Sequence, residues 1–198
     1  MNDVTHLGIY DIPMMSNIPN LVYLAPTTYE EYIAMLDWST EQREHPVAIR
    51  VPGAVIHGEK PTKDYGILNK YETVQKGSGA AIIALGTFFG MGKQAAELIE
   101  KKTGVKPTLI NPVYITGIDE ELLESLKKDH KAVVTLEDGI LDGGFGEKIA
   151  RFYGDSDMRT VNFGLKKEFL DRYDANEVLR QNGITPEQIA DRAAELIK

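Results

Sequence analysis

No cysteine occurs in these 198 residues. That excludes disulfides, thiolate metal sites and cysteine nucleophiles, and it suits a reducing compartment. Long apolar runs are missing too: nothing approaches the ~18–20 residues of a membrane span. The opening Met1-Asn2-Asp3-Val4-Thr5-His6 has neither a basic stretch nor an apolar signal core. Positive charge is in the minority, with 22 Lys and Arg against 30 Asp and Glu and a formal net charge of −8. Such a balance argues against a nucleic-acid backbone as the main partner, because counterion release needs clustered Lys and Arg. Histidine is scarce, and His45, His57 and His130 have no companion at metal-ligand spacing; each reads as a surface histidine, and no metal site is expected. What is present is 42% apolar and 26% charged, enough for a core in a soluble, cytoplasmic protein with no membrane partner.

The apolar pattern alternates between strand and helix. Leu21-Val22-Tyr23-Leu24-Ala25 is a short run between Pro19-Asn20 and Pro26, which predicts a buried strand. Thr27 with Glu30 suggests a capping box opening a helix that runs to about Gln42. Pro46 to Arg50 is the next strand, ending at Pro52-Gly53, so the first segment is β-α-β. Residues 54–70 lose periodicity and gather Gly, Pro and Lys, as a linker does. From Tyr71 onward come an edge strand to Lys76, a buried strand Ala80–Leu85, a helix from Phe88 stopping near Gly104, and strand Thr108–Ile110. A helix opened by Asp119, strand Ala132–Leu136, helix Glu147–Phe152 and strand Thr160–Phe163 follow. Thr185-Pro186-Glu187-Gln188 marks a closing helix start. Such alternation predicts an α/β fold with a mostly parallel sheet between helical layers.

Two glycine clusters invite ligand readings. Gly90-Met91-Gly92 with Ala95 imitates a dinucleotide fingerprint, but the strand that should supply an acidic ribose ligand ends at Asn111-Pro112. Close packing of helix on strand explains these glycines better. Asp142-Gly143-Gly144-Phe145-Gly146 precedes a helix whose N–H groups suit an anion; a tight turn is the plainer reading.

Several stretches together resemble the 1-deoxy-D-xylulose-5-phosphate synthase family of the transketolase superfamily. Thr5-His6-Leu7-Gly8-Ile9-Tyr10-Asp11, Ile18-Pro19-Asn20-Leu21 and Ala25-Pro26 are similar to its pyrimidine-domain segment. Pro46-Val47-Ala48-Ile49-Arg50 is similar to its strand ending in arginine. Val134 to Gly139 with Gly143-Gly144-Phe145-Gly146 resembles its glutamate and glycine turn, and Gly183 to Ile189 its closing helix. These matches run in family order along the whole chain.

The resemblance implies that residues 1–53 are the last part of a pyrimidine-binding domain, residues 54–70 a linker, and residues 71–198 a three-layer α/β/α transketolase C-terminal domain. It implies transfer of a two-carbon unit from pyruvate to glyceraldehyde 3-phosphate, using thiamine diphosphate and Mg2+ in the complete enzyme. His6 is then the catalytic residue, facing the reacting oxygens. Arg50 would bind the phosphosugar's phosphate, with Asn2, Asp3 and Thr5 completing substrate recognition. The sequence departs from the family at Asn2, where an aspartate is usual, and at Gly53, where an arginine is usual. No G-D-G…N stretch is present, Gly154-Asp155-Ser156 being a poor match, and the family's activating glutamate would lie before Met1. The chain alone is therefore expected to bind no cofactor and to be inactive. Its expected partners are a second copy, an N-terminal thiamine-binding chain or segment, or both. A noncatalytic dimerising module derived from such an enzyme is the alternative. One β-α-β unit cannot cover a sheet on both sides, so residues 1–53 are expected to be the more mobile part unless a partner covers them.

Overall fold

The computed structural model describes residues 4–51 and 53–198. Its centre is a five-stranded sheet in the order β3-β5-β4-β6-β7, formed by β3 (Glu72–Gln75), β4 (Gly79–Ala84), β5 (Thr108–Asn111), β6 (His130–Ile140) and β7 (Arg159–Leu165). All neighbours are parallel except β3, which pairs antiparallel with β5 at the edge. The central strand β4 carries Ala80 to Ala84 with no exposed surface, as a strand covered on both faces must.

Helices α3 (Phe89–Thr103) and α7 (Pro186–Ile197) cover one face, where Ile82, Ala84, Val134 and Leu136 meet Ala95, Ile99, Ile189 and Ala193. On the other face, Ala81, Ile83 and Val133 meet Leu123 and Leu126 of α4 (Glu120–Leu126) and Phe145 and Ile149 of α5 (Phe145–Phe152). The expected three-layer α/β/α arrangement with a mostly parallel sheet is what forms. Gly104 closes α3 in the left-handed region at φ 73°, and Thr185 accepts the Gln188 N–H to open α7, as their sequences predict. A short helix α6 (Ala175–Gln181), capped by Asp174, was not foreseen.

Ahead of this sheet stand α1 (Asp11–Met15), β1 (Val22–Leu24), α2 (Tyr29–Glu41) and β2 (Val47–Ile49), with β1 and β2 parallel. The expected β-α-β unit is present, with one correction at its helix. Thr28, not Thr27, is the cap and accepts the Glu31 N–H, while the Glu31 carboxylate accepts from the Thr27 N–H and hydroxyl. Glu31 is buried and also receives the Asn111 amide at 2.9 Å, so a carboxylate inside the protein fixes the start of α2.

This segment is sewn to the main sheet by backbone bonds. Ala25 donates to the Val113 carbonyl at 2.8 Å, Ile115 to Tyr23 at 2.7 Å and Ile140 to Ile9 at 2.9 Å. Residues 54–70 contain no helix or strand, yet they pack: Tyr65 is buried, and its carbonyl accepts the Tyr114 hydroxyl at 2.9 Å. His130 corrects another expectation. It is buried, exchanging a hydrogen bond with Thr108 Oγ1 at 2.8 Å, because β6 starts at His130 itself, with the ring turned inward. His45 is half-buried and His57 exposed, the latter paired with Glu30 at 2.9 Å.

Candidate functional site

Parallel strands place their carboxyl ends on one edge, and both sheets here aim that edge at a common cleft. The cleft has a volume of about 610 Å³. From the small sheet come Tyr23 on β1 and Arg50, which immediately follows β2. The main sheet supplies Thr87, in a 3-10 turn just beyond β4, and Asp138 near the end of β6. His6, in the 3-10 turn Val4–His6, and Asp11, the first residue of α1, close the remaining side. Gly86 permits the turn at Thr87: it has φ 53°, and a Cβ there would sit 3.3 Å from that of Ala25.

Arg50 is the hub. Its Nε donates to Asp11 Oδ2 at 2.6 Å, its Nη2 donates to Asp11 Oδ1 at 3.2 Å and to the Gly8 carbonyl at 2.7 Å, and its Nη1 donates to Asp138 Oδ1. Asp138 Oδ2 accepts the Thr87 hydroxyl at 3.0 Å, and the Tyr23 hydroxyl donates to Asp11 Oδ2. Burial alone would lower the Arg50 pKa, but the charge of Asp138 and the bonds to both carboxylates raise it. Burial likewise pushes Asp11 up, and the Arg50 bond and charge with the Tyr23 bond outweigh it, leaving the carboxyl below its ordinary value. Tyr23 is raised by burial and by the carboxylate it serves. At neutral pH, Arg50 and Asp11 are charged and Tyr23 is a neutral donor.

The sequence-predicted residues His6 and Arg50 therefore share one cleft, which Gly53 also lines. Thr5 is exposed and lies beside His6, with its Oγ1 2.8 Å from His6 Nδ1. Asn2 and Asp3 lie outside the described residues, as does Pro52. Asp11, Tyr23, Thr87 and Asp138 were missed as site residues. Asp11 and Asp138 stand inside the family-like motifs, but nothing in the sequence points to their pairing with Arg50.

The other glycine cluster answers its own question. The helix N-terminus of α5 does hold an anion, but the anion is the chain's own Glu137. Its oxygens accept the Phe145 and Gly146 N–H groups, both at 2.8 Å, and the residue is fully buried. Burial raises the Glu137 pKa to about 7, the two N–H groups opposing. Nearby on α5, Lys148 donates to the Ile115 carbonyl at 2.6 Å and to the Ser16 hydroxyl at 2.9 Å; burial lowers its pKa to about 8, the Glu137 charge opposing. Gly92 confirms the packing role expected of its cluster, since a Cβ there would lie 2.6 Å from that of Ala84 on β4.

Comparison with known proteins agrees with this architecture. The family described as transketolase, C-terminal domain, matches residues 69–189. A 1-deoxy-D-xylulose-5-phosphate synthase of Clostridium tetani is 31% identical over 196 residues, covering 98% of this chain and 31% of that protein. One from Clostridium perfringens (strain SM101 / Type A) is 34% identical over 199 residues, covering 98% of this chain and 32% of that protein. The chain thus spans just under a third of the length of these curated relatives. A solved structure described as a split-gene transketolase, inactive beta4 tetramer, superposes with a TM-score of 0.83 at 22% identity, over 98% of this chain and 64% of that one. A transketolase mutant from Pichia stipitis superposes at 0.73 with 18% identity, over 98% of this chain and 28% of that one.

Proposed function

Because the chain belongs to the transketolase C-terminal domain family, we propose that it is the C-terminal portion of an enzyme of the 1-deoxy-D-xylulose-5-phosphate synthase type, supplying one wall of its phosphosugar pocket. The single observation behind this reading is that His6 and Arg50 line one cleft at the carboxyl ends of two parallel sheets. In that pocket His6 hydrogen-bonds and moves protons at the reacting oxygens, with Thr5 holding its Nδ1 side. Arg50 meets the phosphate of glyceraldehyde 3-phosphate, because a guanidinium matches phosphate geometry and keeps its charge.

The residues described do not fit thiamine diphosphate and its metal. Among them, no group of three or more His, Asp or Glu gathers where a cation could be held. The N-terminus of α5, the anion site the sequence offered, is filled by Glu137. We therefore assign cofactor binding to other polypeptide, an N-terminal chain or segment. The relative described as a split-gene transketolase supports a division of this kind, and its tetramer supports self-association of this chain.

One observation favours a second reading. Arg50 already serves two carboxylates and a carbonyl, as an ion-pair staple in a noncatalytic interaction module would. The two readings part in one assay. The chain is mixed with a polypeptide carrying the thiamine-binding part of a synthase, thiamine diphosphate, Mg2+, pyruvate and glyceraldehyde 3-phosphate, and carbon dioxide release is followed. Release that depends on this chain and is lost in His6→Ala supports the enzyme. No release from a mixture that forms a stable complex leaves the module.

A further inference from the structure

A guanidinium has five N–H donors. In Arg50 four are committed: one Nε–H and both Nη2–H groups to Asp11 and Gly8, and one Nη1–H to Asp138. A bidentate grip on phosphate needs two adjacent donors, and one remains. A phosphate must therefore displace a protein carboxylate before Arg50 can hold it well.

The two carboxylates are not equally displaceable. Asp11 takes the guanidinium edge through both oxygens and is itself held by the Tyr23 hydroxyl. Asp138 touches only Nη1, through one oxygen, and its other oxygen rests on the Thr87 hydroxyl at 3.0 Å. Releasing Asp138 frees both Nη1 donors towards the cleft that His6 also lines. Two carboxylates on one guanidinium also leave the network with a net charge of −1, which repels a phosphate dianion until one of them moves.

We propose that Asp138 sets the specificity of this cleft for phosphorylated ligands: it occupies the Nη1 edge of Arg50 as an internal substitute for phosphate, and a ligand binds only if its phosphate outcompetes that carboxylate. The inference rests on the reading of Arg50 as the phosphate ligand. Asp138 acts through Arg50 and is a positioning residue. The consequence is discrimination, since a sugar lacking phosphate, or a carboxylate no stronger than the resident one, leaves the Arg50–Asp138 pair closed.

The test uses isotopically labelled full chain, titrated separately with inorganic phosphate and with glyceraldehyde 3-phosphate while the Arg50 Nε–H resonance is followed. Asp138→Asn should bind both roughly tenfold more tightly than the unaltered chain, the scale of one charge-assisted hydrogen bond no longer opposed. Asp138→Glu should return affinity towards the unaltered value, a rescue that a purely structural role does not predict. If Asp138→Asn fails to fold, Asp138→Ser gives the same readout. An Arg50 resonance that shifts with phosphate at equal affinity in all variants overturns the role of Asp138 and leaves Arg50 as a phosphate ligand. An Arg50 resonance that phosphate never shifts, in any variant, overturns both.

Discussion

Gly144 and Glu137 share one space: a Cβ on Gly144 would lie 2.7 Å from each carboxylate oxygen of Glu137 and 2.6 Å from the Ile140 carbonyl. Its φ of −73° is ordinary, so the glycine is required for room and not for backbone freedom. Gly144→Ala should expel the carboxylate from the α5 N-terminus and lower unfolding free energy by ~2–4 kcal/mol, as overpacking with loss of buried hydrogen bonds does. Gly90→Ala is the control. Nothing lies within 4 Å of a Cβ there, inside α3, so it should stabilise by ~0.5–1 kcal/mol. Urea titration of both variants decides it; equal effects would refute the packing argument.

The pair Glu137 and Lys148 should write two opposed limbs into the pH dependence of stability. Glu137 is raised from 4.5 to about 7, so the folded chain binds more protons than the unfolded one between those values. Its contribution is whole below about 4.5 and is lost as pH rises through about 7, a fall of about 3 kcal/mol. Lys148 is lowered from 10.5 to about 8, so there the unfolded chain binds more protons and stability recovers with rising pH. Glu137→Gln should flatten the acid limb and Lys148→Met the alkaline one. Unfolding free energies measured at closely spaced pH values check this, and an unaltered chain with no trough near neutrality would refute it.

Arg50 joins residues far apart in sequence, so its loss should be felt as a loss of joint stability. Arg50→Leu leaves Asp11 and Asp138 half-buried and unpaired and should cost ~2–4 kcal/mol. Asp11→Asn in that background should restore part of the loss, giving a coupling of ~1–3 kcal/mol in a double-mutant cycle. Asp11 is lowered from 3.8, so its share of stability is present above that value and drains away as pH falls below it. Coupling near zero would show that Arg50 and Asp11 do not pair in solution.

Amide exchange should divide the chain unevenly. Strand β2 is three residues long, only half-buried, and pairs only with β1 among the described residues, whereas β4 is covered on both faces and flanked on both edges. Protection is therefore expected to be weaker in residues 4–51 than in β4 and β6, and to rise in the small sheet when a partner polypeptide binds. Uniformly strong protection throughout a demonstrated monomer would count against an unfinished sheet.

Much of the fold was legible because burial imposes period and end signals. Ala80 to Leu85 reads as a buried strand and forms β4 nearly to the residue, while Gly104 marks a helix end by its backbone and Thr185 a helix start by its side chain. The capping box slipped by one residue, since Thr27 and Thr28 are equivalent in pattern and only the inward turn of Glu31 separates them. β6 runs on to Ile140 through Glu137-Asp138-Gly139, a polar stretch that reads as a turn until the carboxylate's two N–H partners are seen. At the cleft, motif resemblance singled out His6 and Arg50, and both line it. The partners of Arg50 were not legible, because Asp11 and Asp138 lie 39 and 88 residues from it, and charge pairing across such distances leaves no periodic trace.

Three main-chain bonds stitch the first segment to the rest of the chain: Ala25 to Val113, Ile115 to Tyr23, Ile140 to Ile9. Peptide groups are the same whatever side chains they carry, so these three bonds survive substitution of the residues that face the gap. Arg50 and Glu31 add side-chain links across the same boundary. Changes that spare those links can refit the cleft for a different ligand while the frame keeps its alignment.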